Sequence, residues 1–304
     1  MRLTTTVRPE APFDFDLTAG YHTYFQGRYG TDSLEDGEYR RLLDLGDKLV
    51  LASVRSEGTI DAPELTVEFQ GDGLTSEEAA KASSKVAWLL GTDQDLAPFY
   101  AMADTDPVMS SIAGRFRGLH LPHTASLFEA LVLGIMGQQI ATNVARIIRT
   151  LFIETYGPRQ VFDGQTYYAF PRPEALLSAT VEDLRGMKLS WRKAEYIRGI
   201  VEAAMEGALS SEHLSGLTDE QVEHRLTELR GVGRWTVQWV LIRSLGRPDA
   251  LPLGDLALRR AVSMMYFNGE EINDVQLEEF SRRWSPWRSY ATVYLFTALR
   301  KGMG

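Results

Sequence analysis

Cysteine is absent from all 304 residues. That excludes disulfides, thiolate metal sites and a cysteine-ligated iron–sulfur cluster. No apolar run reaches the roughly 18 residues that a membrane helix needs. The N-terminal stretch MRLTTTVRPEAPFDFD has no apolar leader segment, so neither secretion nor a membrane partner is expected. Histidine is scarce, at five. His120 and His123 bracket Leu-Pro, but no third ligand stands near them in sequence, and zinc is not expected there. The chain has no P-loop, dinucleotide fingerprint or G-x-S-x-G elbow. It shows no fixed-period repeat and no low-complexity tract. A carboxylate pair for polysaccharide hydrolysis cannot be picked out by spacing.

Basic charge is also in deficit, with 32 Lys and Arg against 41 Asp and Glu. The deficit lies in the first third. Residues 1–110 hold 20 acidic and 9 basic residues, a net of −11, whereas residues 111–304 hold 21 and 23, a net of +2. A near-neutral body can carry a basic face, so charge permits a nucleic-acid partner without pointing to one.

What is present divides into two textures. KLVLASVRS (48–56) and ELTVEFQG (64–71) alternate apolar and polar residues, the period of half-buried strands, with 20–29 and 38–46 as partners. Residues 75–91 read as a helix capped by Thr75 or Ser76 and ended by Gly91. From about residue 95 strand signals stop. Apolar residues recur at helical spacing over 126–137, 141–157, 190–207, 218–231, 234–246, 255–267, 274–284 and 287–302. The expected fold is mainly α with an α+β N-terminal domain (1–105), an antiparallel sheet plus a helix. Two helical domains follow, one over 128–247 containing a helix-hairpin-helix at 218–246, the other built from 106–127 and 248–304.

Two short segments carry chemistry. In LRGVGRWTVQW (229–239), Gly231 and Gly233 flank Val232 between two helices. Alone, Gly-Val-Gly is also an ordinary helix stop and turn. Within a helical pair it leaves the amides of Gly233, Arg234 and their neighbours free at a helix N-terminus, which attracts a DNA phosphate without reading sequence. Asp255, in LPLGDLALRR, suits a helix N-cap. The same position keeps the carboxylate ionised and able to face a developing sugar cation or orient water.

Hairpin, Gly-Val-Gly, then Pro and Asp about twenty residues on resembles the helix-hairpin-helix-GPD superfamily of DNA glycosylases. FEALVLGIMGQQIATNVA (128–145), LPLGDLALRR (251–260), RRWSPWRSYATVYLF (282–296) and PFDFDLTAGYHTYFQGR (12–28) are similar to its AlkA-like, 3-methyladenine DNA glycosylase II branch. The resemblance implies a monofunctional glycosylase that flips and excises alkylated purines from double-stranded DNA in base excision repair. It implies Asp255 as the catalytic carboxylate, Trp235, Trp239, Trp287 and Gln138 at the base pocket, and Gln139 as the wedge filling the gap in the duplex. It implies Gly231, Gly233 and Arg234 on the DNA backbone. No cofactor is required, although the carbonyls of Thr227, Leu229 and Val232 match positions that hold a Na+ or K+ ion. A bacterial, cytoplasmic, nucleoid-associated monomer is expected.

The residue types suit the task. Flipping costs a few kcal/mol, which an inserted side chain partly offsets. A cationic alkylated base on tryptophan gains roughly 0.5–2 kcal/mol of cation–π attraction. Read without the resemblance, Trp235 and Trp239 also fit core packing, since residues four apart share a helix face. Likewise Gln138 and Gln139 fit a solvated loop. The chain departs from the family at three positions. Bifunctional members carry lysine where Trp235 stands, so a Schiff-base nucleophile and strand cleavage are not expected. Gln139 replaces a leucine wedge, and Leu256 replaces a tyrosine after the aspartate, which leaves the damage spectrum open. A glycosylase for oxidised, deaminated or mismatched bases, or a non-catalytic damage-binding module, stands as the alternative.

Overall fold

The computed structural model describes residues 1–303. The N-terminal part is a six-stranded antiparallel sheet in the order β1-β6-β5-β4-β3-β2. Its strands are β1 (Arg2–Val7), β2 (Arg28–Tyr29), β3 (Asp32–Glu35), β4 (Glu38–Asp44), β5 (Leu49–Ser56) and β6 (Leu65–Gln70). Alternation sets its faces: Leu65, Val67 and Phe69 of β6 and Val50, Ala52 and Val54 of β5 are buried on one side. Against them pack helix α1 (Phe15–His22) and helix α2 (Ser76–Leu90). The latter starts at a Thr75–Glu78 capping box and stops at Gly91, whose φ of +57° suits glycine.

Two readings of this region need correction. Residues 20–29 are not a strand. α1 ends at His22 and only Arg28–Tyr29 pair with β3. Asp14 caps α1 by accepting the Leu17 amide, and burial of Phe15, Ala19 and Tyr21 selects helix over the β-preference of the aromatics. Strands also return after residue 95. β7 (Arg159–Phe162) and β8 (Gln165–Tyr168) form a hairpin through Asp163 and Gly164, both at positive φ. Phe162 and Ala169 at this hairpin cover Leu42 and Leu51 on the outer face of the sheet.

The rest is helical. In chain order come α3 (Ala97–Ala103), α4 (Pro107–Arg115), α5 (Leu127–Gly137), α6 (Thr142–Tyr156), α7 (Val181–Gly186), α8 (Trp191–Met205) and α9 (Ser211–Ser215). Then follow α10 (Asp219–Thr227), α11 (Arg234–Ser244), α12 (Leu256–Tyr266), α13 (Asp274–Ser281) and α14 (Arg288–Arg300). One continuous apolar core joins them, with α5, Val132 and Ile135 included, against α8 and α11. Residues 106–127 are not one helix: α4 ends at Arg115, and the chain then runs extended past two buried histidines. Among the described residues no helix is long and apolar enough to cross a membrane.

Sheet and helices are joined by a buried charge network. Arg41 of β4 donates to both oxygens of Asp32 (3.0 and 3.1 Å) and to both oxygens of Glu129 in the first turn of α5 (2.8 Å each). Its side chain is 4% exposed.

Candidate active site

The hairpin is α10, a turn and α11. Gly231 has φ +89°, and a Cβ built there would lie 2.2 Å from the Tyr196 ring of α8, so only glycine fits. Val232 is buried beneath the turn, as expected of a residue locking two helices. Gly233 is the N-cap of α11 and supplies no side-chain acceptor to its first amides. Those amides and the helix dipole face outward beside exposed Arg234, which pairs with Glu223 at 2.8 Å.

Across from the hairpin is the loop between α5 and α6. Gln138 donates from Nε2 to the Gly231 carbonyl (3.0 Å) and the Thr236 hydroxyl (3.2 Å), tying the two turns together. Lys193 of α8 donates to the carbonyls of Met136 (3.0 Å) and Gln138 (2.5 Å), satisfying the end of α5. Gln139, at the loop tip, is exposed and held at φ +52°. A left-handed non-glycine residue there is the kind of local strain that gathers at functional loops.

Asp255 is the N-cap of α12, and both its oxygens are engaged. Oδ1 accepts the amides of Ala257 (2.9 Å) and Leu258 (3.1 Å). Oδ2 accepts the indole N–H of Trp235 (3.0 Å) and of Trp239 (3.3 Å). Four donors and the helix dipole hold the carboxylate in one orientation. It is half-buried and lines a cavity of about 1030 Å³ together with Trp235, Trp239, Gln138, Gln139, Gly231 and Gly233. Three segments distant in sequence, the α5–α6 loop, the hairpin turn with α11, and the start of α12, thus meet at one concave surface, large enough for a small organic ligand.

One expected lining residue is elsewhere. Trp287 is the N-cap of α14 and packs edge-on against Tyr290, outside the cavity lining. The opposite end of α14 reaches the cavity, through Phe296 and Arg300. Nine residues of helix separate Trp287 from Phe296, roughly 13 Å at 1.5 Å per residue.

The far wall of the cavity comes from residues that motif reading missed. Tyr24 and Tyr29 stack at 4.3 Å, and Arg149 of α6 donates to the Tyr29 hydroxyl at 2.7 Å. Arg300 lies 4.1 Å over the Tyr24 ring. Burial raises the Tyr24 phenol, but Arg149, Arg300 and Arg243 together pull it down to about 7. Burial pushes Tyr29 up to about 12. It holds His22 down to about 3 and His123 to about 4, so both line the cavity uncharged. His120 and His123 use ring nitrogens on the carbonyls of Gly91, Pro12 and Trp88. Among the described residues no cluster of three or more His, Asp or Glu has metal-binding geometry.

Comparison with known proteins gives a consistent result. Residues 132–286 match the family model of the HhH-GPD superfamily of base excision DNA repair proteins. The chain is 31% identical over 290 residues to a DNA-3-methyladenine glycosylase of Bacillus subtilis, covering 94% of each. It is 28% identical over 179 residues to DNA-3-methyladenine glycosylase 2 of Escherichia coli, covering 59% of this chain and 60% of that one. Among solved structures, a 3-methyladenine DNA-glycosylase from Archaeoglobus fulgidus superposes with a TM-score of 0.84 at 30% identity, covering 98% of this chain and 99% of that one.

Proposed function

The chain belongs to the HhH-GPD superfamily of base excision DNA repair proteins, and on that premise we propose that it excises alkylated purines of the 3-methyladenine type from double-stranded DNA. It is an alkylbase DNA glycosylase, a hydrolase of N-glycosyl bonds acting on DNA in base excision repair. The site assignments below are our reading of the geometry.

Asp255 is the catalytic carboxylate. The observation that carries this is its four-donor grip at the cavity wall, beside two indole rings. As the C1′–N bond of a cationic base breaks, its electron pair goes to the base, which departs neutral. The sugar takes on positive charge beside the fixed anion. Water adds to C1′, and one of its protons passes through Asp255 to solvent. The edges of Trp235 and Trp239 are spent on Asp255, which leaves their faces for a flipped base. Gln138 braces the pocket through the hairpin. Gln139, exposed and left-handed at its loop tip, is the residue that enters the duplex. Its amide can hydrogen-bond the orphaned opposite base, which adds an opposite-base preference. Gly231, Gly233 and Arg234 hold the backbone phosphate. With Trp235 in place of a lysine, the reaction stops at the abasic site.

Three further assignments complete the reading. The carbonyls of Thr227, Leu229 and Val232 are suited to a Na+ or K+ ion. They lie at the end of α10 and in the turn after it, where helix-end carbonyls lack intrahelical partners, and the Leu229 carbonyl accepts the Val232 amide at 3.0 Å. The chain acts as a monomer in the bacterial cytoplasm. Its working parts are the sheet domain 1–105 and two helical lobes, 128–247 and 106–127 with 248–304, that flank the cavity.

The test is base release from duplexes carrying 3-methyladenine, 7-methylguanine, ethenoadenine or 8-oxoguanine, with Asp255→Asn alongside. We expect the methylated purines to be released, and Asp255→Asn to slow that release by roughly 10²–10³ or more while duplex affinity stays near wild type. Release at the wild-type rate by Asp255→Asn would remove Asp255 as the catalytic carboxylate, and binding without release of any base by the wild type would leave a damage-binding module instead.

A further inference from the structure

The segment that joins α7 to α8 carries charge that the catalytic reading does not use. Residues 185–192, RGMKLSWR, hold Arg185, Lys188 and Arg192 and no carboxylate, in a chain that is acidic as a whole. All three cations are exposed. Arg198 and Arg230 nearby are paired with Glu202 and Glu195, whereas among the described residues Arg185, Lys188 and Arg192 have no carboxylate partner. Of the two acids of α7, Asp183 is held by the Thr180 amide and hydroxyl, which leaves Glu182 against three cations. Trp191 stands among them, 46% exposed, with the Arg185 guanidinium 4.6 Å over its ring. Stacking occupies the face of a guanidinium and leaves its N–H edge free for a phosphate. Unpaired cations around an open aromatic ring are the make-up of a nucleic-acid surface.

The first turns of α8 fix where this segment lies. Lys193 donates to the carbonyls of Met136 and Gln138, directly before Gln139. Arg230 of the hairpin turn pairs with Glu195 at 3.2 Å and lies 5.7 Å from the Tyr196 ring. The segment therefore continues the surface made by the hairpin and the Gln139 loop. None of residues 185–196 lines the cavity, whereas Gln138, Gln139, Gly231 and Asp255 do. The strand that delivers a nucleotide to Asp255 runs past the cavity mouth. An element that meets the Gln139 loop outside the cavity faces the other strand, whose bases stay stacked.

Resting on the glycosylase reading above, we propose that Arg185, Lys188, Trp191 and Arg192 form a second DNA-binding surface, which grips the strand opposite the flipped nucleotide. The three cations take backbone phosphates of that strand, and Trp191 lies against its sugars. A grip on both strands holds the duplex while Gln139 enters it. Contacts of this kind position the protein without reading sequence.

The experiment measures binding of the full chain, across a salt series, to a duplex carrying a tetrahydrofuran abasic analogue, which offers no base to release. Arg185→Gln, Lys188→Gln, Arg192→Gln, the three combined, and Trp191→Ala are compared with wild type. Each single cation substitution is expected to lower the slope of log affinity against log salt by about 0.9, and the triple variant by roughly 2–3. A partly unfolded protein would lose active fraction without changing that slope. Trp191→Ala weakens binding several-fold with the slope unchanged. Single-turnover release of 7-methylguanine at saturating enzyme keeps its wild-type rate in all of them, since these side chains touch no reacting atom. Uncharged methylphosphonates in the opposite strand weaken wild type and leave the triple variant unaffected, while the same groups in the lesion strand weaken both alike. An unchanged salt slope in the triple variant overturns the inference, and so does a methylphosphonate effect confined to the lesion strand. Base release by wild type with that unchanged slope leaves the glycosylase reading standing. A lowered slope with no base release by wild type overturns the glycosylase reading and supports the surface.

Discussion

Tyr24 is a phenol whose neighbours bring its ionisation toward neutral pH. Burial alone would raise its pKa, yet Arg149, Arg300 and Arg243 bring it to about 7. Because the folded value is below the unfolded value of 10, ionised Tyr24 stabilises the fold most fully above pH 10. That contribution fades as pH falls toward 7. Spectroscopic titration is therefore expected to show one tyrosine ionising near pH 7, ahead of the others, and Tyr24→Phe to abolish that step. The melting-temperature gap between wild type and Tyr24→Phe should widen from pH 7 to 10. A wild-type titration with no early step would show that the three guanidiniums do not act on this phenol. Asp255 presents the opposite case, a group whose neighbours fix its position through four donors.

At the level of elements, the hairpin depends on Gly231. Alanine there meets both a left-handed backbone and the Tyr196 ring, 2.2 Å from its Cβ. We expect Gly231→Ala to destabilise the fold by roughly 1–3 kcal/mol in urea unfolding and to weaken duplex binding. Alanine tolerated at wild-type stability and affinity would show that the turn does not need this geometry. The hairpin could be read in the sequence because Gly-Val-Gly is local, and so could α2, bounded by Thr75 and Gly91, and α12, opened by Asp255. The β7–β8 hairpin was missed because four-residue strands give too short a period among helices, although Asp163-Gly164 is a two-residue turn signal. Residues 20–29 were misread as a strand because aromatics favour strands, whereas burial draws Gly20–His22 into the end of α1. The near end of the cavity was legible through Asp255, Trp235, Trp239, Gln138 and Gln139. Its far end was not, because Tyr24, Arg149, Arg243 and Arg300 come from separate elements and no motif links them. Trp287 shows the converse, since the resemblance suggested the pocket and the length of α14 carries it away from the cavity lining.

On the scale of the whole molecule, the sheet and the helices are bound by Arg41 holding Asp32 and Glu129. Removing one partner of such a buried network leaves unpaired charge inside the protein. Arg41→Ala should therefore cost about 3–5 kcal/mol. It should also depress base release, because Glu129 opens α5, which ends at the Gln138 loop. Urea unfolding and release assays on the same preparation test both, and an unchanged urea midpoint would mean the network adds no net stability. The N-terminal part also supplies Tyr24, from the turn after α1, and Tyr29 and Asp32, from β2 and β3, to the cavity lining. Any shortened relative that dispenses with it must close that side with something else, and whatever it recruits will decide anew which lesions are admitted. Gain or loss of an accessory portion remote from the aspartate is, by this geometry, a change of repertoire.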